Sequence, residues 1–327
     1  MNKPTRVTRT ILIGFFIGSV LLTACGGGSS TATAGASPTA TKGSVLKGRI
    51  LFGRYNQAVD GFQIFTINPD GTHEVQLLPG AADCPSFAPG GSKILVCVSN
   101  PKGLGRPATL NPDGSGFTLL DTSDPSLNLP CGAWSSRGKL ACEGWDDVHP
   151  NRTPGIFTVR SSDGGGLVRV TANPYGGHDI PGSYSPDGTR IVFGRENANL
   201  HQFALFVANA NGSDLHQISG WQPDFAGASW SPDGQWILTG NNEGGLSLIH
   251  PDGRGQRQIV LAPNPGSFLV CWPKWSPDGQ HIVFILSAAC GGSQNLISIA
   301  RADGSDLRQV THTSADVEFP DWGTHSE

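Results

Sequence analysis

Short runs rich in apolar, β-branched and aromatic residues recur along most of the chain, and turn sequences rich in Gly, Pro and Asp separate them. Residues 190–193, 204–207 and 215–219 are examples. Runs of this length, rich in β-branched and aromatic side chains, predict strands rather than helices. The pattern therefore predicts an all-β protein built from many short strands.

An aromatic residue followed by a turn recurs every 45 to 50 residues. Its fullest form is W-S-P-D-G, in which Ser, Pro and Gly suit the first, second and fourth positions of a type I turn. A second marker, Asp-Gly or Asn-Gly, occurs once in each interval, and strands flank both markers, so each unit is expected to hold four strands. The aromatic markers are Phe87, Trp134, Tyr184, Trp230, Trp275 and Trp322.

Six four-stranded units of this length predict a six-bladed β-propeller of antiparallel blades. Residues 48–54 match the second strand of a unit and lack a first strand, whereas residues 317–322 supply a first strand at the end of the chain. We therefore expect these N- and C-terminal strands to pair and close the ring. The repeat resembles the WD40-like repeats of TolB over about residues 47–323. This resemblance implies a role at the cell envelope through protein contacts, although residues 26–44 cannot supply the α/β domain that precedes the TolB propeller.

The first 46 residues predict an export signal and a tether. Residues 1–24 combine a basic start with an apolar run that is too short to span a bilayer, as in a signal peptide. Residues 22–25, Leu-Thr-Ala-Cys, resemble a bacterial lipobox, so Cys25 is expected to carry lipid and anchor the protein to a bacterial membrane. A plain secretory signal is the alternative. Residues 25–46 form a flexible linker, and residues 47–327 form the propeller.

Charge and motifs exclude several function classes. A net charge of −4 with only 15% charged residues argues against nucleic acid as a partner, because phosphate neutralisation needs Lys and Arg. Metal-binding, dinucleotide-binding and serine-hydrolase motifs are absent from the sequence. We therefore expect no cofactor and no metal.

Six cysteines follow Cys25, an even number that favours disulfides in an exported chain. Hairpin register across the repeat's turn predicts the bonds Cys84–Cys97 and Cys131–Cys142. Cys271 and Cys290 remain as the third pair; their midpoint falls beyond the turn, so Cys290 is expected to lie in the next loop rather than in the hairpin.

The channel mouth is the expected binding site, because the loops before each aromatic strand and those between second and third strands gather there. Acids and aromatic residues predominate among the loop residues, a mixture that suits a polar or cationic ligand or a protein partner of the envelope. The candidates are Asp83, His178, Asp179, Trp221, Asp224, Trp272, Asp316 and Glu318 before the aromatic strands, and Arg54, Trp145, His149 and Arg195 in the other loops.

The sequence thus favours a lipid-anchored binding or scaffolding module without enzymatic activity. The alternative is an extracellular hydrolase or lyase that acts on glycans or peptides in the mouth. His178, Asp179 and Asp224 would then be the acid and base candidates.

Overall fold

The computed structural model describes residues 46–149, 151–240, 245–262, 268–288, 290, 295–312 and 315–324. Within these ranges every regular element is a strand. The strands form six antiparallel sheets of four strands each, and the predicted six-bladed propeller is confirmed. No helix in these ranges is long and apolar enough to cross a membrane.

The strands, in chain order, are β1 (Arg49–Asn56), β2 (Gly61–Ile67), β3 (Val75–Leu78), β4 (Asp83–Phe87), β5 (Ile94–Ser99), β6 (Gly105–Leu110), β7 (Thr118–Leu119), β8 (Cys131–Trp134), β9 (Lys139–Gly144), β10 (Gly155–Arg160), β11 (Val168–Arg169), β12 (Gly176–Tyr184), β13 (Arg190–Asn197), β14 (Gln202–Asn209), β15 (His216–Gln217), β16 (Ala228–Trp230), β17 (Ile237–Gly240), β18 (Leu246–Ile249), β19 (Arg257–Ile259), β20 (Leu269–Trp275), β21 (His281–Ser287), β22 (Leu296–Arg301), β23 (Arg308–Gln309) and β24 (Val317–Gly323). Blade 1 has the order β24-β1-β2-β3 from the channel outward, and each of blades 2 to 6 uses four consecutive strands.

The repeated turn closes the first hairpin of blades 2 to 6, as its residue types predict. In blade 5 the Gly234 N–H donates to the Ser231 carbonyl at 2.9 Å, and the Ser231 hydroxyl accepts the Trp236 N–H at 2.9 Å. The Asp233 carboxylate accepts the Gln235 N–H at 3.0 Å. These side chains satisfy the backbone donors of the turn, which fixes where the second strand begins.

Blade 1 joins the two ends of the folded chain. Ile50 on β1 lies opposite Trp322 on β24, and the two strands are antiparallel. The Trp322 indole is 5% exposed, and its Nε1–H donates to the Lys47 carbonyl at 3.0 Å. The predicted closure by terminal strands is therefore confirmed.

Apolar residues of neighbouring sheets form the core between blades. Trp230 of blade 5, for example, packs with Val192 and Val207 of blade 4. Because each sheet is covered on both faces, its middle strands are almost wholly apolar, as in Phe193 and Phe284 and their neighbours, which are fully buried.

Two of the three predicted disulfide bonds are present, Cys131–Cys142 and Cys271–Cys290. Cys84 and Cys97 are free thiols in this structure, so the third bond differs from expectation. A bulge explains the difference, because it shifts the register of β4 and β5 by one residue. Asp83, rather than Cys84, consequently lies opposite Cys97.

Cys25, the signal peptide and most of the linker lie outside the described residues. Lipid anchoring and the boundaries of these segments stay predictions.

Candidate functional site

Bulges in the innermost strands determine which side chains enter the central channel. The register is irregular just before the repeated aromatic in β4, β8, β12, β20 and β24. The residue three positions before the aromatic has a left-handed φ of 52° in Cys84 and 53° in both Trp272 and Phe319. Non-glycine residues rarely adopt this conformation, and bulges redirect side chains. This repeat position therefore turns its side chain away from the direction that a regular strand would give it.

A lower ring lines the channel on the side of the W-S-P-D-G turns. It consists of the residue directly before the aromatic in each blade, and it surrounds a cavity of about 240 Å³. The lower ring is Ser86, Ala133, Ser183, Ser229, Lys274 and Asp321.

The lower ring also connects blades. The Asp321 carboxylate accepts the Phe87 N–H of the next blade at 2.7 Å, and the Ser183 hydroxyl accepts the Trp230 N–H at 2.8 Å. Lys274 Nζ crosses the channel from blade 6 and donates to the Gly182 carbonyl of blade 4 at 2.9 Å. Burial lowers the pKa of Lys274 and raises that of Asp321, while the opposite charge of each partly offsets the effect on the other.

An upper layer lies nearer the mouth and is mainly apolar. It surrounds a cavity of about 120 Å³. Aromatic rings connect across the blades, with centroid distances of 5.6 Å between Phe225 and Trp272 and 5.2 Å between Trp272 and Phe319. The cavity is lined by Cys84, Pro85, Pro130, Gly132, Glu143, Ile180, Pro181, Trp272, Lys274, Phe319 and Pro320.

Three carboxyl groups stand beside this layer where blades 1 and 2 meet. Burial, together with the nearby charges of Asp83 and Asp316, raises the pKa of Glu318 to about 7. Burial also raises the pKa of Asp83. When ionised, these carboxyl groups repel one another and create a negative potential, which a bound cation would neutralise.

A second acidic contact lies at blades 3 and 4. His178 Nδ1 forms an ion-pair contact with the Glu143 carboxylate, and its ring meets Trp145 edge-on at a centroid distance of 5.8 Å. His178 and Trp145 line a polar cavity of about 460 Å³. Glu143 lines the cavity of the upper layer, so the contact between His178 and Glu143 lies between the two cavities.

Four further predicted mouth residues are engaged in other contacts. Asp179 is fully buried and pairs with Arg195 through two hydrogen bonds of 2.7 Å. Arg54, at the equivalent repeat position in blade 1, pairs instead with Glu74. His149 Nδ1 lies 2.9 Å from the Asp146 carboxylate.

Asp146 organises the loop that carries His149. Its side chain is buried, which opposes ionisation, but hydrogen bonds from His149, Arg152 and Val148 outweigh this effect and lower its pKa. His149 therefore belongs to a local loop network rather than to the channel.

Trp221 and Asp224 lie away from the two cavities of the channel. Trp221 packs between Tyr175 and Phe206, with centroid distances of 5.5 and 6.2 Å. Asp224 is exposed and lines a cleft between blades 4 and 5. His178, Asp179 and Asp224 thus have separate surroundings and do not form an acid–base group.

The structure brings Asp83, Trp272, Asp316 and Glu318 together at the mouth and places His178 and Trp145 nearby. Sequence reasoning missed Phe319, Lys274, Asp321 and Glu143. A signal for two of them was present, since Lys274 and Asp321 directly precede a marker aromatic at the position that Ser occupies in three other blades.

Comparisons with known proteins agree with this architecture. A stretch of 111 residues is 32% identical to the Tol-Pal system protein TolB of Alcanivorax borkumensis, and it covers 33% of this chain and 24% of that protein. TolB from Acinetobacter baumannii has the same fold with a TM-score of 0.67 and 19% identity, over 84% of this chain and 66% of that one. A TolB-related structure from Agrobacterium tumefaciens gives 0.60 and 15%, over 82% and 90%.

The chain therefore has a TolB-like propeller, although it spans only part of these relatives. No protein-family model matches it. A puromycin hydrolase is a more distant fold neighbour, with a TM-score of 0.53 and 13% identity over 83% of this chain and 53% of that one. This likeness concerns the fold alone.

Proposed function

We propose that this chain is an exported binding module whose channel mouth takes up a segment of a partner protein. One observation carries the proposal: bulged inner strands direct Trp272 and Phe319 into an apolar cavity beside the carboxyl groups of Glu318 and its neighbours. The likeness to TolB, a Tol-Pal system protein, supports a protein rather than a metabolite as the partner.

The chemistry of the mouth defines the expected segment. An aliphatic or aromatic side chain would fill the cavity between Trp272 and Phe319, because aromatic pockets dominate the energy of many interfaces. A Lys or Arg beside it would approach Glu318, Asp83 and Asp316. The cation would offset the repulsion among the three carboxyl groups and thereby favour the ionised form of Glu318.

Export is part of the proposal. Two disulfide bonds are typical of proteins in an oxidising compartment. We propose that Cys25 carries the lipid anchor that holds the module at a bacterial membrane. Replacing Cys25 with Ser should move the protein from the membrane fraction to the soluble exported fraction, and retention of the variant in the membrane would contradict the anchor.

A peptide-display selection on the purified full chain tests the binding site. The selected peptides should combine a large apolar residue with a nearby Lys or Arg. Trp272→Ala should weaken their binding about tenfold or more, since loss of an interface anchor costs about 2 kcal/mol. Glu318→Gln should weaken binding less and reduce its salt dependence.

Asp252→Asn is the matched control, because Asp252 lies in an exposed turn on the opposite face and its carboxylate caps that turn. It should leave the affinity unchanged. Peptides that bind wild type and Trp272→Ala equally would show that the mouth is not the site.

A further inference from the structure

Blade 5 differs from the other blades where it faces blade 4. In blade 4 the stacked rings of Phe193 and Phe206, with centroids 5.9 Å apart, fill the space toward blade 3. Blade 1 has a stacked pair of Phe rings at the same two repeat positions. The register of β17 with β18 places Thr239 opposite Ser247 at these positions in blade 5. Two small polar side chains therefore stand where other blades pack aromatic rings.

A third repeat position follows the same pattern. Gln256, just before β19, occupies the position that Leu215 holds in blade 4 and Leu307 holds in blade 6. Leu307 packs against the apolar core of its blade interface. Blade 5 is the one blade of the six with polar residues at all three positions. Its interface with blade 4 is thus lined with polar groups at the places where the repeat is otherwise mostly apolar.

The small side chains leave a cleft of about 230 Å³ between blades 4 and 5. Ser247 lines this cleft although the residue is only 3% exposed, and within the described part of the chain no group hydrogen-bonds to its hydroxyl. The Thr239 hydroxyl donates to the Gly227 carbonyl at 2.7 Å and keeps its capacity to accept. A buried hydroxyl without a partner costs free energy, which a ligand that hydrogen-bonds to it would recover.

The lining of the cleft combines apolar surface with uncharged polar groups. Phe203 and Phe225 stack at a centroid distance of 6.2 Å and contribute the apolar wall. Hydroxyl and amide groups line the rest, with one carboxyl group, that of Asp224, and no Lys or Arg among the described lining residues. Amides and hydroxyls donate as well as accept, as sugar hydroxyls do, whereas anionic ligands are usually bound by Lys or Arg. The lining therefore suits a neutral polyhydroxy ligand.

The backbone of blade 4 along the cleft is already paired. Phe203 and Gln222 exchange two hydrogen bonds of 2.7 Å, and the Leu205 N–H donates to the Ser219 hydroxyl at 2.8 Å. An added peptide strand is held mainly by main-chain hydrogen bonds to an open sheet edge. The cleft offers a ligand its side chains instead, which favours a saccharide over a peptide.

We propose that the cleft between blades 4 and 5 binds one ring of a neutral saccharide. The Thr239 and Ser247 hydroxyls and the Gln256 amide hydrogen-bond to ring hydroxyls, while the C–H face of the ring packs against Phe225. Pockets for drug-sized ligands measure about 300 to 1,000 Å³, so this smaller cleft holds one ring and leaves the rest of the saccharide outside. Asp224 repels acidic sugars.

Calorimetry and saturation-transfer NMR on the purified full chain test this site. The neutral probes are maltotriose, cellotriose and the trimer of N-acetylglucosamine, and trigalacturonate is the acidic counterpart. At least one neutral trisaccharide should bind, and trigalacturonate should bind at least about tenfold more weakly. Asp224→Asn should reduce this difference. No binding of a neutral trisaccharide at millimolar concentration, or tighter binding of trigalacturonate, would overturn the proposal.

Two substitutions give blade 5 the residues of blade 4. Ser247→Phe should abolish binding, because the ring fills the cleft. Gln256→Leu should weaken binding about two- to tenfold, the worth of one hydrogen bond, and it remains informative if the first variant fails to fold because Gln256 is exposed. Gln309→Ala, at an exposed position of blade 6, is the control and should leave the affinity unchanged. Wild-type affinity in Ser247→Phe or in Gln256→Leu would overturn the proposal, as would binding of trialanine in place of the sugars.

Discussion

The Phe87 N–H donates to the Asp321 carboxylate at 2.7 Å, across the joint between the blade that closes the ring and the blade that follows it. The Trp230 N–H makes the equivalent bond to Ser183 at 2.8 Å. One repeat position therefore supplies an acceptor for the aromatic strand of the next blade. In blade 1 that acceptor is a carboxyl group, which also lines the channel near Lys274 of blade 6.

Asp321→Ala should destabilise the protein by about 1 to 3 kcal/mol, because it leaves the half-buried Phe87 N–H without its acceptor. Asp321→Asn is the matched control, since its amide oxygen can still accept this bond. Urea unfolding of the three proteins checks the prediction. Equal losses in the Ala and Asn variants would indicate that the charge, rather than the hydrogen bond, supports the joint.

Stability should fall as pH rises from about 4.5 to 7 because of Glu318. Its pKa of about 7 lies above its ordinary value of 4.5, so the folded state holds a proton that the unfolded chain releases in this window. The full penalty, about 3 kcal/mol, persists above pH 7. Thermal melts at pH 5 and 8 should therefore differ less for Glu318→Gln than for wild type. An unchanged difference would contradict the assignment to Glu318.

The buried Asp179–Arg195 pair should be far more important for stability than the Arg54–Glu74 pair at the equivalent position. Asp179→Asn should cost about 3 to 5 kcal/mol, because it leaves a buried guanidinium without its counter-ion. Glu74→Gln should cost about 1 kcal/mol or less, because that pair is partly exposed. Denaturant midpoints compare the two variants directly. Similar losses of stability would refute the prediction that the buried pair contributes more than the exposed one.

Removing the closing strand should cost much more than its length suggests. A chain that stops after Asp316 loses β24, leaves β1 without its inner partner and removes the buried Trp322 side chain, which alone is worth about 3 to 5 kcal/mol. A chain that stops after Thr324 keeps the strand and is the control. Circular dichroism and limited proteolysis should find the first unfolded and the second native. A cooperative transition in the shorter chain would show that closure by β24 is dispensable.

The fold is predictable from the sequence because each repeat carries residue types that determine its turns through local interactions. Ser231, Asp233 and Gly234 determine their turn through hydrogen bonds within five residues, and Trp322 reveals the missing strand by its place in the repeat. Such features need no knowledge of distant contacts.

The site is harder to predict, because bulges and long-range pairs decide it. A shift of one residue in β4 separates Cys84 from its expected register and turns it toward the channel. From the sequence alone, Asp179 is expected to be an exposed loop acid. In the structure it forms a buried ion pair with Arg195, which lies 16 residues later in the chain. Phe319 contributes to the cavity through its ring contact with Trp272, which belongs to another blade.

Site-specific photocrosslinking in the organism that makes the protein tests the proposed mouth most directly. A photoreactive amino acid at Ala81, an exposed position in the loop between blades 1 and 2, is compared with one at Gln235 in a turn on the opposite face. Position 81 should give a discrete protein adduct that Trp272→Ala suppresses, and position 235 should give none. Adducts from position 235 alone, or an adduct at position 81 that Trp272→Ala leaves intact, would contradict binding at the mouth.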